Sequence, residues 1–327
     1  MPQLLSEFKE YADHIDTLLA EAFRRRKGLY GIVAKTLFPG KRLRSIMALL
    51  WCEAISGSYQ PAGPIALAYE LAHSAALVQD DLIDQSSRRR GSSTINAKYG
   101  LATGVLAANL LLFEIPYQLA KYTDGRFTHA QMNKMLTLVG DACRLTTLGE
   151  YLDLQMAAKN QVTLDDYLEM ARMKTGALLA APCACGAIVG GGSERDVSSA
   201  FAFGEKMGIA YQIRDDVSDV LGTYDGSGEA IFQDIRNSKK NFVVIHMLQH
   251  ASSNAKKFIN ATLGKENLRE HEIKAIQEMA LKLHCDTAAK RLAVRLAREG
   301  KSHLDALKPS NAREKLVKIA DYVHMIS

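Results

Sequence analysis

IALAYELAHSAALVQDDLID, residues 65–84, decides the fold. From Ile65 to Gln79 the apolar side chains recur at helical spacing, without the polar and β-branched alternation that a half-buried strand needs. The stripe then ends in Asp80-Asp81-Leu82-Ile83-Asp84. In a helix the first and fifth residues of that segment lie on one face about a turn apart, so Asp80 and Asp84 project together. Like charges so placed repel and weaken the helix unless a cation lies between them.

The pattern returns in FAFGEKMGIAYQIRDDVSDVL, residues 201–221, which closes on Asp215-Asp216-Val217-Ser218-Asp219 at the same internal spacing. One acidic helix end reads best as solvated surface; two of identical design suit magnesium, which takes oxygen ligands and keeps waters or phosphate oxygens in its other positions. MLTLVGDACRLTTLGEYLDL, residues 135–154, is a third long stripe, and the whole chain reads as all-α. Breakers separate the stripes at Pro39-Gly40, Arg90-Gly91-Ser92-Ser93, Gly190-Gly191-Gly192-Ser193 and Tyr224 to Gly228. None has the length of an interdomain linker. Residues 1–327 are therefore expected to form a single domain, one large helical bundle of about ten or more helices.

Composition agrees with a globular chain: 47% of 327 residues are hydrophobic, enough for a large core. A net charge of +5 against 41 basic and 36 acidic residues gives no general attraction to nucleic acid. No run reaches membrane-spanning length, and MPQLLSEFKEYADHIDTLL at the start is an amphipathic acidic helix and not a signal peptide, so a soluble cytoplasmic protein is expected. The five scattered cysteines read as reduced core residues, including Cys183 and Cys185, which have no zinc-like partners nearby.

Basic residues accompany the acids. Gly40-Lys41-Arg42-Leu43-Arg44 precedes an apolar helix, and Arg88-Arg89-Arg90-Gly91 directly follows the first aspartate cluster. Guanidinium forks and helix N-termini bind phosphate, so these segments beside magnesium carboxylates point to a diphosphate substrate.

From about Gly40 to Tyr322 the sequence resembles the trans-prenyl diphosphate synthase family, on its two aspartate-rich motifs, the GKRLR segment and the RRG segment in consistent order. The resemblance implies the isoprenoid synthase bundle with a central cavity, magnesium as cofactor and head-to-tail joining of an allylic diphosphate to isopentenyl diphosphate. It implies that Asp80, Asp81 and Asp84 form the first metal motif, with Asp80 and Asp84 as ligands, and that Asp215 leads the second, with Asp216 and Asp219. Arg89 resembles the arginine that grips the allylic diphosphate, and Lys239 a later lysine on the same group. Lys41, Arg44, His73 and Arg90 resemble the isopentenyl diphosphate site. Lys174, Thr175 and Gln212 match residues beside the reacting carbons and the leaving group. Taken without the family, His73 would be a core histidine, and Thr175 and Gln212 buried polar residues bonded to backbone. Asp165-Asp166 after Thr163 is a helix start with no catalytic role.

Some positions depart from the family pattern. Pro39-Gly40 replaces paired glycines, Gln79 a common histidine, and Asn109 a common acid. Glu229 stands where a lysine is expected, Phe232 where a glycine is, and the tail ADYVHMIS lacks the basic residues that often close the site. The metal motifs are intact.

Product length is expected from the helix before Asp80, along which the growing tail must run. Ala76, Ala75 and Ala72 occupy positions where short-chain relatives often carry aromatic residues, and Tyr69 is the first bulky candidate for a floor. A helix turn rises about 5.4 Å, close to one extended isoprene unit, so products of geranylgeranyl length or longer are expected. Homodimerisation is expected from the family. A terpene cyclase is the competing enzyme, opposed by the second DDxxD and the two basic segments; a noncatalytic subunit acting on another synthase is the competing non-enzyme.

Overall fold

The computed structural model describes residues 6–23, 27–37, 40–89, 91–123, 125–222 and 232–323. Helices account for nearly all of them: α1 Lys9–Phe23, α2 Leu29–Leu37, α3 Leu43–Ser56, α4 Gly63–Ile83, α5 Ile95–Tyr99, α6 Leu101–Thr123, α7 His129–Ala158 and α8 Leu164–Ala171. After a π turn at Arg172–Gly176 follow α9 Ala177–Val189, α10 Glu194–Leu221, α11 Gln233–Arg236, α12 Phe242–His250, α13 Ser253–Thr262, α14 Glu270–Lys282, α15 Cys285–Ser302 and α16 Asn311–Val323. The all-α expectation holds. Among the described residues the exception is a ribbon two residues wide, in which Arg88–Arg89 pairs antiparallel with Ser92–Ser93.

Helix starts follow from side chains that accept the orphan N–H groups of a first turn. Thr128 with Gln131 boxes the start of α7, Thr163 with Asp166 that of α8, and Ser193 with Asp196 that of α10. The Asp165-Asp166 pair is thus the helix start its spacing implied.

The centre of the bundle is α9, buried on every side from Ala177 to Ile188. It packs against α3, α4, α7 and α10. Small residues make this possible: a Cβ on Gly204 of α10 would lie 2.2 Å from the carbonyl oxygen of Leu179. One connected hydrophobic core runs from Phe8 to Ala320. Along α4 burial is nearly complete from Gly63 to Ala72 and relaxes toward the aspartates. The apolar stripe anchors the helix and its acidic end is left accessible.

All five cysteines are free thiols, four buried and Cys143 half-buried. Among the described residues no helix is long and apolar enough to cross a membrane.

Candidate active site

The ends of α4 and α10 carry the two aspartate clusters with the same internal geometry. In each, the second residue turns into the protein, Asp81 at 6% exposure and Asp216 at 2%. Asp80 and Asp84 remain half-buried on the other face, and Asp215 is exposed.

Around the first cluster the protein supplies its own cations. The ribbon folds Arg89 back so that its Nη2 lies 2.6 Å from Asp80 and its Nε 2.7 Å from Asp81. Lys239 Nζ donates to Asp84 at 2.7 Å and lies 3.9 Å from Asp80. Lys174 Nζ is 2.6 Å from Glu150, 2.8 Å from Asp153 and 3.8 Å from Asp80. Five carboxylates thus face three cations, a residual formal charge of −2. Burial alone would raise Asp80, but Lys174, Lys239 and Arg89 together hold it below the usual carboxylate range. For Asp84 burial wins and its pKa is raised despite Lys239. Lys174 is half-buried, and Asp153, Asp80 and Glu150 keep it firmly protonated.

Lys174 owes its place to two local features. It lies in the π turn, where the Ala177 N–H reaches back to the Arg172 carbonyl and the helix is widened by one extra residue. Against that turn α7 presents Gly149, whose absent Cβ would sit 2.3 Å from the Lys174 backbone nitrogen. The close approach brings Glu150 and Asp153 onto the ammonium group.

The second cluster is held by hydrogen bonds. Asp216 accepts from Tyr167 Oη at 2.6 Å, Gln212 Nε2 at 2.8 Å and the Phe242 N–H at 3.0 Å. Burial pushes its pKa up, with Asp234 adding to the shift. Asp219 accepts from the N–H groups of Gln233 and Asp234 at the start of α11, at 2.9 and 3.3 Å. Thr175 Oγ1 donates to Gln212 Oε1 at 2.5 Å, joining the π turn to α10. The two clusters are linked through the strap after α11: Asp234 bonds Asp219 with its N–H, its carbonyl accepts the Lys239 N–H at 2.8 Å, and Lys239 reaches Asp84. Asn241 caps α12 and donates to Asp234 at 3.0 Å.

Of the remaining expected residues, Arg44 Nη1 donates to His73 Nε2 at 3.2 Å, which places the imidazole proton on Nδ1 because a guanidinium only donates. Arg44 also acts on Tyr211, whose hydroxyl is pushed up by Asp215 and by burial and eased by Arg44. Lys41 is exposed. Its neighbour Arg42 is a buried structural cation, bonded to Glu70 and Asp16. Arg90, Glu229, Pro39 and the end of the tail lie outside the described residues. Phe232 takes φ +66°, the left-handed conformation a glycine adopts without strain, and its ring is fully buried. Ala75 is fully buried, Ala72 nearly so and Ala76 half-buried. Tyr69 is enclosed, its hydroxyl 3.5 Å from the Cys185 sulfur.

Glu150, Asp153, Tyr167, Asp234 and Asn241 escaped the sequence reading. Glu150 and Asp153 had a signal, since they are acids three apart inside an apolar stripe and one of them ends up 4% exposed. The other three are brought in by tertiary packing, without a local mark.

Among the described residues no three carboxylate, imidazole or thiol groups stand ready as a cage for an ion. Magnesium does not require one, since it is commonly held by one or two carboxylates together with waters and substrate phosphates. An oxygen-only donor set with a residual −2 charge fits such an ion.

Comparison with known proteins agrees with this geometry. The pattern that defines the polyprenyl synthetase family matches residues 26–280. A geranylgeranyl diphosphate synthase of Methanosarcina mazei is 29% identical over 325 residues, covering 98% of this chain and 97% of its own. The structure of geranylgeranyl pyrophosphate synthetase from Pyrococcus horikoshii has a TM-score of 0.89 at 27% identity, covering 100% of this chain and 99% of that one. Geranylgeranyl pyrophosphate synthase from Corynebacterium glutamicum, solved with isoprenyl diphosphate and magnesium, shares the fold with a TM-score of 0.82 at 22% identity, over 100% of this chain and 98% of that one. With aspartate clusters closing two helices linked through Asp234 and Lys239, and a match across most of its length, the chain belongs to the polyprenyl synthetase family and is a prenyltransferase.

Proposed function

We propose that this enzyme, acting as a single helical domain, joins an allylic diphosphate to isopentenyl diphosphate with magnesium to give an all-trans product of geranylgeranyl length or longer. The observation that carries the reading is the α4 cluster, in which Arg89, Lys174 and Lys239 neutralise only part of the carboxylate charge. Asp80 and Asp84 would hold magnesium, with Asp215 and Asp219 completing the site from α10. When bound, magnesium supplies Lewis-acid neutralisation of the diphosphate.

Arg89 and Lys239 grip the allylic diphosphate, and Lys41, Arg44, His73 and Arg90 hold isopentenyl diphosphate beside it. The allylic carbon–oxygen bond breaks and its electron pair leaves with the diphosphate. The polarised Gln212 carbonyl, fixed by Thr175, and the backbone dipoles of the π turn lie against the resulting allylic cation. The double bond of isopentenyl diphosphate attacks that cation, a carbon–carbon bond forms, and the departed diphosphate takes the proton released.

Length follows from α4. Tyr69 lies eleven residues before Asp80, about 16 Å along the helix and close to its face, room for roughly three isoprene units of primer. One addition then gives the twenty-carbon product. In this reading the small side chains of Ala72, Ala75 and Ala76 leave that path open, and the Tyr69–Cys185 contact steadies the floor. We further propose a homodimer, supported by the exposed apolar side chains of α6 and α7: Leu101, Leu106, Phe113 and Tyr117 on one helix, Leu148 and Tyr151 on the other.

The test is product chromatography after incubating the purified protein with magnesium, labelled isopentenyl diphosphate and primers of several lengths. Elongated diphosphates of twenty carbons or more are expected, and Tyr69→Ala should lengthen them by at least one unit. Cyclic hydrocarbons, or turnover that appears only when a second synthase is added, would overturn the reading. An unchanged product from Tyr69→Ala would remove Tyr69 as the floor.

A further inference from the structure

Charge is unevenly spread over this molecule. Helix α15 carries Lys290, Arg291, Arg295, Arg298 and Lys301 against Asp286 and Glu299, so it alone holds +3 of the chain's formal +5. Its acids offer little relief: Glu299 is engaged by Lys206 at 2.8 Å and lies 3.9 Å from Arg295. Lys301 is bonded to Asp321. Among the described residues Lys290, Arg291 and Arg298 have no ion pair or hydrogen bond, and all three are exposed. Arg291, Arg295 and Arg298 follow at i, i+4 and i+7 and share one helix face, with Lys290 beside them. They form a row about 12 Å long of like charges whose repulsion the fold does not offset.

Beside the row lies a groove of about 440 Å³ between α15 and α12, lined by the apolar Phe242, Ile245 and Leu292, by the polar His246 and Gln249, and by Arg291 and Arg295. No carboxylate is among its described lining residues. A single small anion would meet one or two of these cations and leave the apolar side chains bare. A nucleic acid would use the row and not those side chains. An anionic bilayer uses both, since its headgroups present many negative charges over this distance and its acyl chains match the apolar side chains of the groove.

We propose that the α15 face and its groove dock this enzyme on an anionic phospholipid membrane. The attachment is peripheral and electrostatic, so it weakens as salt screens the row. It does not depend on the proposed product, and it is tested without substrate.

The experiment is flotation of the full chain with vesicles of phosphatidylcholine alone or mixed with phosphatidylglycerol. The protein should float with the mixed vesicles at low salt, stay behind with pure phosphatidylcholine, and release as salt is raised. Arg291→Glu/Arg295→Glu should lower the bound fraction by about tenfold or more. Lys27→Glu/Lys35→Glu, the same change in net charge at two exposed lysines elsewhere, should leave it near wild type. Circular dichroism checks that both variants fold. Failure of the wild type to float, equal loss in both variants, or displacement from vesicles by a short DNA duplex would overturn the proposal. Turnover in a lipid-free assay is unaffected by any of these results, so the prenyl-transfer reading stands or falls separately.

Discussion

Lys239 touches both sides of the proposed site, with its ammonium on Asp84 and its backbone N–H on the Asp234 carbonyl. Lys239→Gln keeps the backbone link and removes the charge. It should raise KM for the allylic primer more than for isopentenyl diphosphate and lower kcat/KM by roughly a hundredfold, read from steady-state kinetics with each substrate varied. Asp81 yields a prediction about pH. Burial outweighs its bridge to Arg89 and pushes its pKa from 3.8 to about 6. Between those values the folded chain keeps a proton that the unfolded chain has lost, so Asp81's contribution to stability declines from about pH 4 to about pH 6 and is level above. Melting temperatures of wild type and Asp81→Asn in metal-free buffer should show this as a difference that shifts against the wild type across that window and then stays constant.

Where α7 presses on the π turn, a single hydrogen atom in place of a methyl sets the position of Lys174. Gly149→Ala must displace backbone, since the new Cβ would lie 2.3 Å from the Lys174 nitrogen. We expect a stability loss of about 1–3 kcal/mol by chemical denaturation, and a fall in kcat at least as large in relative terms. Such contacts explain what sequence can and cannot convey. The aspartate pairs were legible because four-residue spacing fixes their common face whatever surrounds them. The helix start at Thr163 was equally local. The clamp on Lys174 was not: Glu150 and Asp153 lie more than twenty positions away in sequence, and only the packing of two helices through Gly149 unites them. Tyr167 and Asn241 belong to the same class. The glycine expected at Phe232 is explained by its positive φ, and burial of the ring offsets a strain of roughly 1–2 kcal/mol.

Across the whole molecule, apolar patterning announced an all-helical bundle, because helices that must bury a face on several sides leave long stripes in the chain. It did not announce which stripe stays outside. On α6 Phe113 is 73% exposed and Leu106 57%, an arrangement that a second copy of the chain would cover. Leu106→Glu/Phe113→Glu should convert a dimer into a monomer in sedimentation velocity and leave far-UV circular dichroism unchanged. A wild type that sediments as a monomer at micromolar concentration would remove that assignment. The charge balance around α4 has a broader meaning. Arg89, Lys174 and Lys239 are resident counterions, each already seated on a carboxylate before any substrate arrives. In the proposed reaction the site would act as an ion exchanger: its ammonium and guanidinium groups would be traded from protein oxygens to an incoming headgroup, without desolvating a bare cation.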